Sequence, residues 1–289
     1  MHRRPGSIAP CLRAGALALL ALVVPCGAIA QPQPDGVEVR KSRLLLLPAS
    51  TVERTSAQQY SQLMRAAAQK GALNTDRREV ERLRNIARSL IPHAARFNAD
   101  AERWRWEVNL IHSPNVNAFC MPGGKIAFFS GLLDALALSD DEVAAVMGHE
   151  IAHALLEHGR ARMSEQLLKT IGISVAAMML NLGQVSTELL ARAADLTLTL
   201  PFSRRHETDA DLAGMELAAR AGFDPRAAAA VWRKMQRLAA QRSAGSPSQR
   251  ARGELPQFLS THPSHEARIR DIEASLPKVL PLYDAARRQ

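Results

Sequence analysis

Residues His149-Glu150-Ile151-Ala152-His153 are the most informative part of the sequence, because they give two histidines and a glutamate the spacing of a metal site on a helix. Side chains four positions apart share one helical face, so both imidazoles can reach the same ion. Glu150 lies between them and can act as the general base of a metal-assisted hydrolysis. A chance match, with two ordinary core histidines, is the alternative. The intervening glutamate at this spacing favours the metal site.

The residues before the motif predict that it lies inside a helix. Ser139 and Glu142 have the spacing of a capping box, and Leu138 and Val143 have the positions of a hydrophobic staple. We therefore expect the helix to begin directly after Ser139. Apolar residues at helical spacing continue through the motif, and Gly159 marks an expected break or bend.

A catalytic zinc site needs a third protein ligand, and an acidic segment between Ser203 and Asp211 offers the best candidate. Glu207 and Asp211 are four positions apart and share a helical face. Glu207 can bind the metal, while Asp211 can accept a hydrogen bond from a ligand histidine and fix its tautomer. Asp209 remains an alternative ligand, and the segment could also be a solvated acidic start of a helix.

Four motifs in order resemble a known family. H-E-I-A-H followed by S-R-x-x-E-x-x-A-D is similar to the gluzincin metallopeptidases that include the HtpX-like and CAAX-processing proteases. The segment V-N-A-F-C-M-P-G-G at residues 116–124, with a later G-L-L, resembles a further family signature, and Thr261-His262-Pro263 with Arg268 resembles its T-H-P…R motif. The resemblance covers about residues 45–275. It is nearest to the soluble periplasmic branch, the BepA- and LoiP-like proteases, without the helical repeat domain of BepA.

This resemblance implies a zinc-dependent endopeptidase that holds one Zn²⁺ per chain. The ligands would be His149, His153 and Glu207, Asp211 would support a ligand histidine, and Glu150 would be the catalytic base.

His262 has three possible roles, which the sequence leaves open. It could be a catalytic residue that donates to the oxyanion, a fourth ligand that keeps the enzyme latent, or a cap for a helix that begins near Ser264. The resemblance to the BepA branch suggests the latent ligand. His262 follows residues 243–257, which are rich in Ser, Gly, Pro and Arg and are expected to be mobile.

The remaining pattern predicts an α+β fold that is mostly helical and zincin-like, with a small sheet before the motif helix. The expected strands are Trp104 to Ile111, Val116 to Met121 and Lys125 to Phe129, with a tight turn between the last two. An edge strand of such a sheet binds substrate in zincin-like proteases by strand addition. The candidate substrate-binding residues are Asn117, Ala118, Phe119, Cys120 and Met121. A purely structural hairpin is the alternative.

The first residues predict export. Residues 1–30 combine arginines, an apolar run and an Ala28-Ile29-Ala30 cleavage site, which is typical of a secretory signal. Residues 31–289 would form one metallopeptidase domain with a flexible start at about residues 31–42. We therefore expect a periplasmic protein, with Cys26 as a less favoured lipoprotein acceptor. Cys120 would then be the only cysteine of the mature chain, which excludes an internal disulfide.

Charge and composition limit the partners. The formal net charge is +9, and without the three arginines of residues 1–30 it is 34 − 28 = +6. Such a charge would favour anionic membrane surfaces or acidic clients, although an ordinary Arg-rich surface also explains it. Nucleic acid is not an expected partner, because aromatic residues make up 4% of the chain and no basic-aromatic stripe is visible. The apolar run from Ile171 to Leu182 is too short to span a bilayer. It predicts a buried or partly exposed helix near the cleft, or one that dips into a membrane interface.

The resemblance as a whole implies an envelope-resident protease that degrades misfolded or misassembled periplasmic and outer-membrane proteins. Its partners would be unfolded polypeptides, with peripheral contact to the membrane or to outer-membrane assembly machinery. An alternative from another class is a latent metal-binding chaperone or assembly factor with little proteolytic turnover.

Overall fold

Helices enclose a three-stranded sheet, which confirms the prediction of a mostly helical α+β fold with a small sheet before the motif helix. The computed structural model describes residues 36–42, 44–179, 203–244, 257–263 and 266–288, and these belong to the unit Pro34–Gln289. The expected signal in residues 1–30, with Cys26, and most of the expected mobile stretch 243–257 lie outside the described residues.

The described helices are α1 (Ala49–Gln69), α2 (Arg77–Leu90), α3 (Ser130–Leu136), α4 (Asp140–Leu155), α5 (His158–Met179), α6 (Arg204–Arg220), α7 (Ala227–Ala244), α8 (Gln257–Thr261) and α9 (Glu266–Ala286). Two 3₁₀ helices, Ile91–Arg96 and Ala99–Arg103, connect α2 to the sheet. The strands are β1 (Glu107–Ile111), β2 (Ala118–Met121) and β3 (Lys125–Phe129). Among the described residues, no helix combines the length and the hydropathy needed to cross a membrane.

Strand β3 lies in the centre of the sheet, parallel to β1 and antiparallel to β2. The predicted turn between β2 and β3 is confirmed: Gly123 and Gly124 have φ values of 84° and 78°. The N–H of Gly124 donates to the carbonyl of Met121 at 3.2 Å. A Cβ on Gly124 would lie 2.7 Å from the Trp106 ring, so a larger residue would not fit beneath that indole.

The first strand begins later than predicted. Strand β1 starts at Glu107, whereas the alternating pattern suggested Trp104. Both indoles are bound elsewhere, since Trp104 Nε1 donates to Glu53 Oε1 at 3.1 Å and Trp106 Nε1 donates to the carbonyl of Ala101 at 3.0 Å. These side-chain hydrogen bonds hold the chain out of the strand pairing before Glu107.

The start of the motif helix agrees with its sequence signal. Ser139 Oγ accepts from the N–H of Glu142 at 3.3 Å, and Glu142 Oε2 accepts from the N–H of Ser139 at 2.8 Å, which completes the capping box. The end differs from the prediction. Helix α4 ends at Leu155, and Glu157, with a left-handed φ of 58°, makes the break that was expected near Gly159.

The core surrounds α4, because every residue from Glu142 to Leu155 is buried. Helix α4 crosses α6 at a contact between two glycines. A Cβ on Gly148 would lie 2.8 Å from the carbonyl oxygen of Gly214, so the absence of side chains lets the two backbones touch. This close crossing brings the motif helix beside the helix that carries Glu207.

The segment before α1 is partly packed on the same helix. Val37 is buried and its N–H donates to Glu216 Oε2 at 2.6 Å, and the N–H of Arg40 lies 3.4 Å from Asp209 Oδ1. The sequence predicts a flexible start at about residues 31–42; within that range, these contacts hold Val37 and Arg40 against α6.

Candidate metal centre

Four buried side chains converge where α4, α6 and the end of α8 meet. His149, His153, Glu207 and His262 each offer one nitrogen or oxygen, and these four atoms lie within 4.8 Å of one another. None of the four residues is more than 4% exposed. The H-E-x-x-H helix, the second acidic motif and the T-H-P motif therefore meet at one point, although 113 positions separate His149 from His262.

The spacing of these atoms fits a tetrahedral zinc site. The Nε2 atoms of His149 and His153 are 3.0 Å apart, and they lie 3.6 Å and 3.4 Å from oxygens of Glu207. Bonds of about 2.0–2.1 Å around a tetrahedral zinc would separate the ligand atoms by about 3.3–3.4 Å. The donor set of two imidazoles and one carboxylate is also typical of catalytic zinc.

Asp209, the alternative third ligand, lies elsewhere. Its carboxylate lies 3.7 Å from Arg205 Nε and accepts from the N–H of Arg40 at 3.4 Å. Glu207 is therefore the acidic residue of this segment that meets the histidines.

A buried aspartate and a buried arginine contact the residues of the cluster. Asp211 Oδ1 lies 3.0 Å from His149 Nδ1, the hydrogen bond that the sequence predicted for a ligand histidine. Arg268 donates to both oxygens of Asp211, from Nε at 2.5 Å and from Nη2 at 2.8 Å. Its Nη1 lies 2.5 Å from Glu207 Oε2, and its guanidinium covers the Trp232 ring at 3.6 Å. Arg268, whose role the sequence left open, is therefore the buried counterion of two carboxylates.

The electrostatics keep the acidic residues ionised and one histidine neutral. Burial acts to raise the pKa of Glu207, but the charges of His262 and Arg268 outweigh it and hold that pKa well below its usual range. Burial also acts to raise the pKa of Asp211, but the charge of Arg268 outweighs it, so that pKa is lowered. Burial lowers the pKa of His153 well below the ordinary value of histidine. Carboxylates and a neutral imidazole are the protonation states that bind a metal.

Glu150 is placed to exchange protons at the same point. It is 3% exposed, and its Oε1 lies 3.4 Å from His262 Nε2. Burial raises the pKa of Glu150, and the charges of His262 and His149 offset only part of that effect. A buried carboxylate with a raised pKa is typical of a general base.

His262 presents both ring nitrogens to this cluster. Its Nδ1 lies 3.3 Å from His149 Nε2 and 3.0 Å from Glu207 Oε1. Burial acts to lower the pKa of His262, but the carboxylates of Glu207 and Glu150 outweigh it and raise that pKa. The Phe258 ring lies 4.7 Å from the imidazole between centroids, and the N–H of Phe258 donates to the carbonyl of Val116 at 3.1 Å. The T-H-P segment is thereby tied to the residues that precede β2.

A cleft of about 350 Å³ opens beside the cluster and reaches the edge strand. Its lining includes Glu150, His153 and His262. Four of the five predicted substrate-binding residues also line it, namely Asn117, Phe119, Cys120 and Met121, whereas Ala118 does not. Helix α1 contributes Val52, Thr55, Ser56, Gln59 and Leu63.

Strand β2 presents backbone hydrogen-bonding groups along its outer side. The N–H of Phe129 donates to the carbonyl of Asn117, and the antiparallel register pairs Phe119 with Ala127. Hydrogen-bonded pairs alternate in an antiparallel ladder, so the N–H and C=O groups of Ala118 and Cys120 face away from β3. Ala118 and Cys120 are 1% and 9% exposed, so an extended polypeptide could pair with these groups only where the edge of β2 is uncovered.

Sequence reasoning assigned no role to His158, which contacts the centre. His158 lies five positions after His153, is completely buried, and places its Nδ1 3.0 Å from His153 Nδ1. Burial, followed by the neighbouring His153 and His206, lowers the pKa of His158 well below the ordinary value, so its imidazole is neutral. The sequence signals were a third histidine soon after H-E-x-x-H and the glycine Gly148 directly before it.

Relatives of this chain include peptidases from mitochondria and from bacteria. The mitochondrial metalloendopeptidase OMA1 of Schizosaccharomyces pombe is 38% identical over 175 residues, which is 60% of this chain and 48% of that protein. Its counterpart in Arabidopsis thaliana is 39% identical over 61% of this chain and 32% of that protein. Metalloprotease LoiP of Escherichia coli is 34% identical over 43% of this chain and 49% of that protein. The chain thus matches between about a third and a half of the length of these relatives.

The comparison corrects the predicted location. Proteins named as mitochondrial are 38% and 39% identical to this chain, above the 34% of LoiP. The prediction of a periplasmic protein, with a lipoprotein anchored through Cys26 as its alternative, is therefore wrong. The chain is similar to LoiP, as the sequence motifs suggested, but it is also similar to the mitochondrial OMA1 proteases, so the bacterial branch is not singled out.

A family match covers most of the described chain. Residues 77–276 match the family described as "Peptidase family M48". This range includes the H-E-x-x-H motif, the second acidic motif and the T-H-P motif. The metallopeptidase class predicted from the sequence is confirmed at the level of this family. With this match, and with two histidines, a glutamate and a further buried glutamate converging on one point, the chain belongs to peptidase family M48.

Proposed function

We propose that this chain is a zinc-dependent endopeptidase that cleaves extended segments of unfolded or misassembled proteins. One observation carries the proposal: the cluster of His149, His153 and Glu207, with Glu150 beside it, opens into the cleft that reaches the edge of β2. Membership of family M48 and relatives named as metalloendopeptidases support the same activity.

Zn²⁺ would be held by His149, His153 and Glu207, one ion per chain. When bound, it supplies Lewis-acid chemistry that polarises a peptide carbonyl and lowers the pKa of a water molecule. Asp211 would keep the proton of His149 on Nδ1, and Arg268 would hold Asp211 and Glu207 in their charged forms.

Glu150 would carry the protons of the reaction. Its carboxylate would accept one from the attacking water and pass it to the leaving amine. The raised pKa of the buried carboxyl suits both steps, because a group that titrates nearer to neutral pH can accept and then release a proton.

The substrate would bind as an added strand on β2. The N–H and C=O groups of Ala118 and Cys120 that face away from β3 would pair with its backbone once this edge, which is 1% and 9% exposed at these two residues, is uncovered. The mostly apolar cleft would receive its side chains. Recognition through the backbone tolerates many sequences but requires an extended chain. Unfolded or misassembled polypeptides meet that requirement, and quality control of proteins is the role that fits it.

A latent metal-binding assembly factor is the second candidate, and His262 is the observation that favours it. Its Nδ1 lies 3.3 Å from His149 Nε2 and 3.0 Å from Glu207 Oε1, close to the spacing expected of a fourth ligand. A protein held in that state would bind clients and turn over slowly. Cleavage of casein that is lost on chelation would favour the protease over this candidate.

The ligand assignment is tested with a pair of variants. The wild type should hold about one zinc per chain, measured by elemental analysis after gel filtration. Glu207→Gln should lower that occupancy strongly, because an amide oxygen binds zinc more weakly than a carboxylate. Asp209→Asn is the matched control and should keep its zinc, since Asp209 binds Arg205 and the backbone of Arg40. Loss of zinc in the control with normal content in Glu207→Gln would overturn the assignment.

A further inference from the structure

His158 contacts a metal-facing histidine through the ring nitrogen that the cluster does not use. His153 directs Nε2 towards His149 and Glu207, and its Nδ1 lies 3.0 Å from His158 Nδ1. His158 is completely buried. The contact is short enough for a hydrogen bond between the two rings.

One proton must lie between these two nitrogens. If Nε2 of a neutral His153 binds a metal, the remaining proton of that ring is on Nδ1. His158 Nδ1 must then accept it, which places the proton of His158 on Nε2. The contact therefore fixes the tautomers of both rings.

The two metal-facing histidines are supported in different ways. His149 donates to Asp211, a carboxylate that Arg268 neutralises. His153 donates to an uncharged imidazole. A neutral acceptor orients the ring without adding a second buried negative charge beside Glu207.

The chain break after α4 brings His158 into position. Residues five apart on a continuous helix would point to different sides, since each residue turns the helix by about 100°. Glu157 interrupts the helix with its left-handed φ of 58°, and its carboxylate pairs with Arg160 at 2.5 Å. Helix α5 then begins with His158 itself.

A second histidine holds His158 from the side of α6. The rings of His158 and His206 stack with centroids 4.2 Å apart and planes 16° apart. His206 directly precedes Glu207, and Ser42 Oγ lies 3.5 Å from His206 Nε2. His158 thus contacts a ligand candidate on α4 and the chain neighbour of a ligand candidate on α6.

We propose that His158 is a positioning residue that accepts the Nδ1 proton of His153 and keeps its Nε2 directed at the metal. This inference rests on the proposed function, because it takes His153 as a zinc ligand. It adds a residue outside the three motifs that hold the cluster, and it explains why the helix breaks at Glu157 instead of continuing to Gly159.

Two substitutions of His158 distinguish the loss of its hydrogen-bond acceptor from the loss of its aromatic ring. His158→Phe keeps an aromatic ring to stack on His206 but has no acceptor. His158→Asn loses the ring but can set an amide oxygen near the position of Nδ1. We expect His158→Phe to weaken zinc binding by about 10–100-fold, the range for losing a group that orients a ligand. His158→Asn should recover part of that loss.

The measurement is the zinc dissociation constant by competition with a chelator, with thermal unfolding as a check of the fold. His206→Phe is the matched control, because it keeps a stacked ring and removes no acceptor from His153; its affinity should stay near that of the wild type. Wild-type affinity in His158→Phe would overturn the inference. So would equal losses in the Phe and Asn variants.

The tautomer gives a test that needs no substitution. Nitrogen-detected NMR of ¹⁵N-histidine in the zinc-loaded wild type should show His158 protonated on Nε2 and His153 protonated on Nδ1. A proton on His158 Nδ1 would overturn the inference. If the wild type bound no zinc, the proposed function itself would fail, whereas normal zinc binding by His158→Phe would remove only the role of His158.

Discussion

Gly148 and Gly214 face each other where α4 crosses α6, and neither position has room for a side chain. A Cβ on Gly148 would lie 2.8 Å from the carbonyl oxygen of Gly214, and a Cβ on Gly214 would lie 2.7 Å from the backbone nitrogen of His149. The contact adjoins the centre, because His149 follows Gly148 and lies 3.6 Å from Glu207. The distance between two candidate ligands on different helices therefore depends on this glycine pair.

Gly214→Ala should destabilise the protein and loosen the metal centre. The added methyl group would push α4 away from α6, and overpacking of this kind costs about 1–3 kcal/mol. The better helix propensity of alanine offsets at most about 1 kcal/mol. The free energy of unfolding is measured by urea denaturation, and zinc content is measured on the same sample.

Gly159→Ala is the control for this substitution. A Cβ at Gly159 on α5 would meet nothing within 4 Å, so only the gain in helix propensity remains. This variant should unfold at the same or a higher urea concentration. If Gly214→Ala were equally stable, the helices would not depend on their backbone contact.

Local signals explain why parts of this structure could be predicted from the sequence. The capping box at Ser139 and Glu142 involves residues three apart, so the pattern alone located the start of α4. The spacing of His149 and His153 follows from the helical period. The glycines of the β2–β3 turn were identified in the same way, because the turn needs positive φ values at neighbouring positions.

Other features depend on contacts between distant segments and carried no local signal. Glu157 takes the left-handed conformation and Gly159 does not make the expected break; the turn at Glu157 places His158 Nδ1 3.0 Å from His153 Nδ1, a contact that the local sequence does not signal. The sequence did not decide the role of Arg268, since both of its carboxylate partners lie on α6, more than fifty positions earlier.

Arg268→Met should destabilise the protein strongly. Arg268 is 2% exposed and neutralises Asp211 and Glu207, and it also covers the ring of Trp232. Removing one partner from a buried ion pair leaves uncompensated charge and costs about 3–5 kcal/mol. Thermal and urea unfolding measure the loss, which zinc should partly restore, since a cation can neutralise Glu207.

Arg270→Met is the matched control on the same helix. Arg270 lies 3.7 Å from Glu266, and both side chains are exposed, at 67% and 88%. Exposed pairs of this kind contribute about 0–1 kcal/mol. Equal unfolding free energies for the two variants would contradict a structural role for Arg268.

Glu150→Gln should separate catalysis from metal binding. Glu150 lies outside the four atoms that converge on the metal centre, and its amide analogue has nearly the same size, so zinc content and stability should stay close to wild type. Hydrolysis of casein should fall below detection, because an amide cannot accept the proton, and loss of a general base costs about 10²–10⁴-fold. Proteolysis at the wild-type rate would remove Glu150 from the mechanism.

His262→Ala should raise basal proteolysis. The His262 Nδ1 lies within 3.3 Å of His149 Nε2 and Glu207 Oε1, so the imidazole could fill a coordination position of a bound zinc and keep water or substrate from it. Removing the ring should clear that position. Basal cleavage of casein and self-cleavage are measured at saturating zinc. The double variant Glu150→Gln/His262→Ala is the control, because any activity gained at this centre should be lost with its general base.

The opposite result would assign His262 a different chemical role. Its Nε2 lies 3.4 Å from Glu150 Oε1, so the ring could also donate a proton to the tetrahedral oxyanion as it forms. Loss of one such donor lowers turnover by about 10²–10³-fold. A decrease of that size in His262→Ala would identify a catalytic donor and exclude the latent ligand. Unchanged activity would contradict both roles and leave His262 as a residue that packs against Phe258.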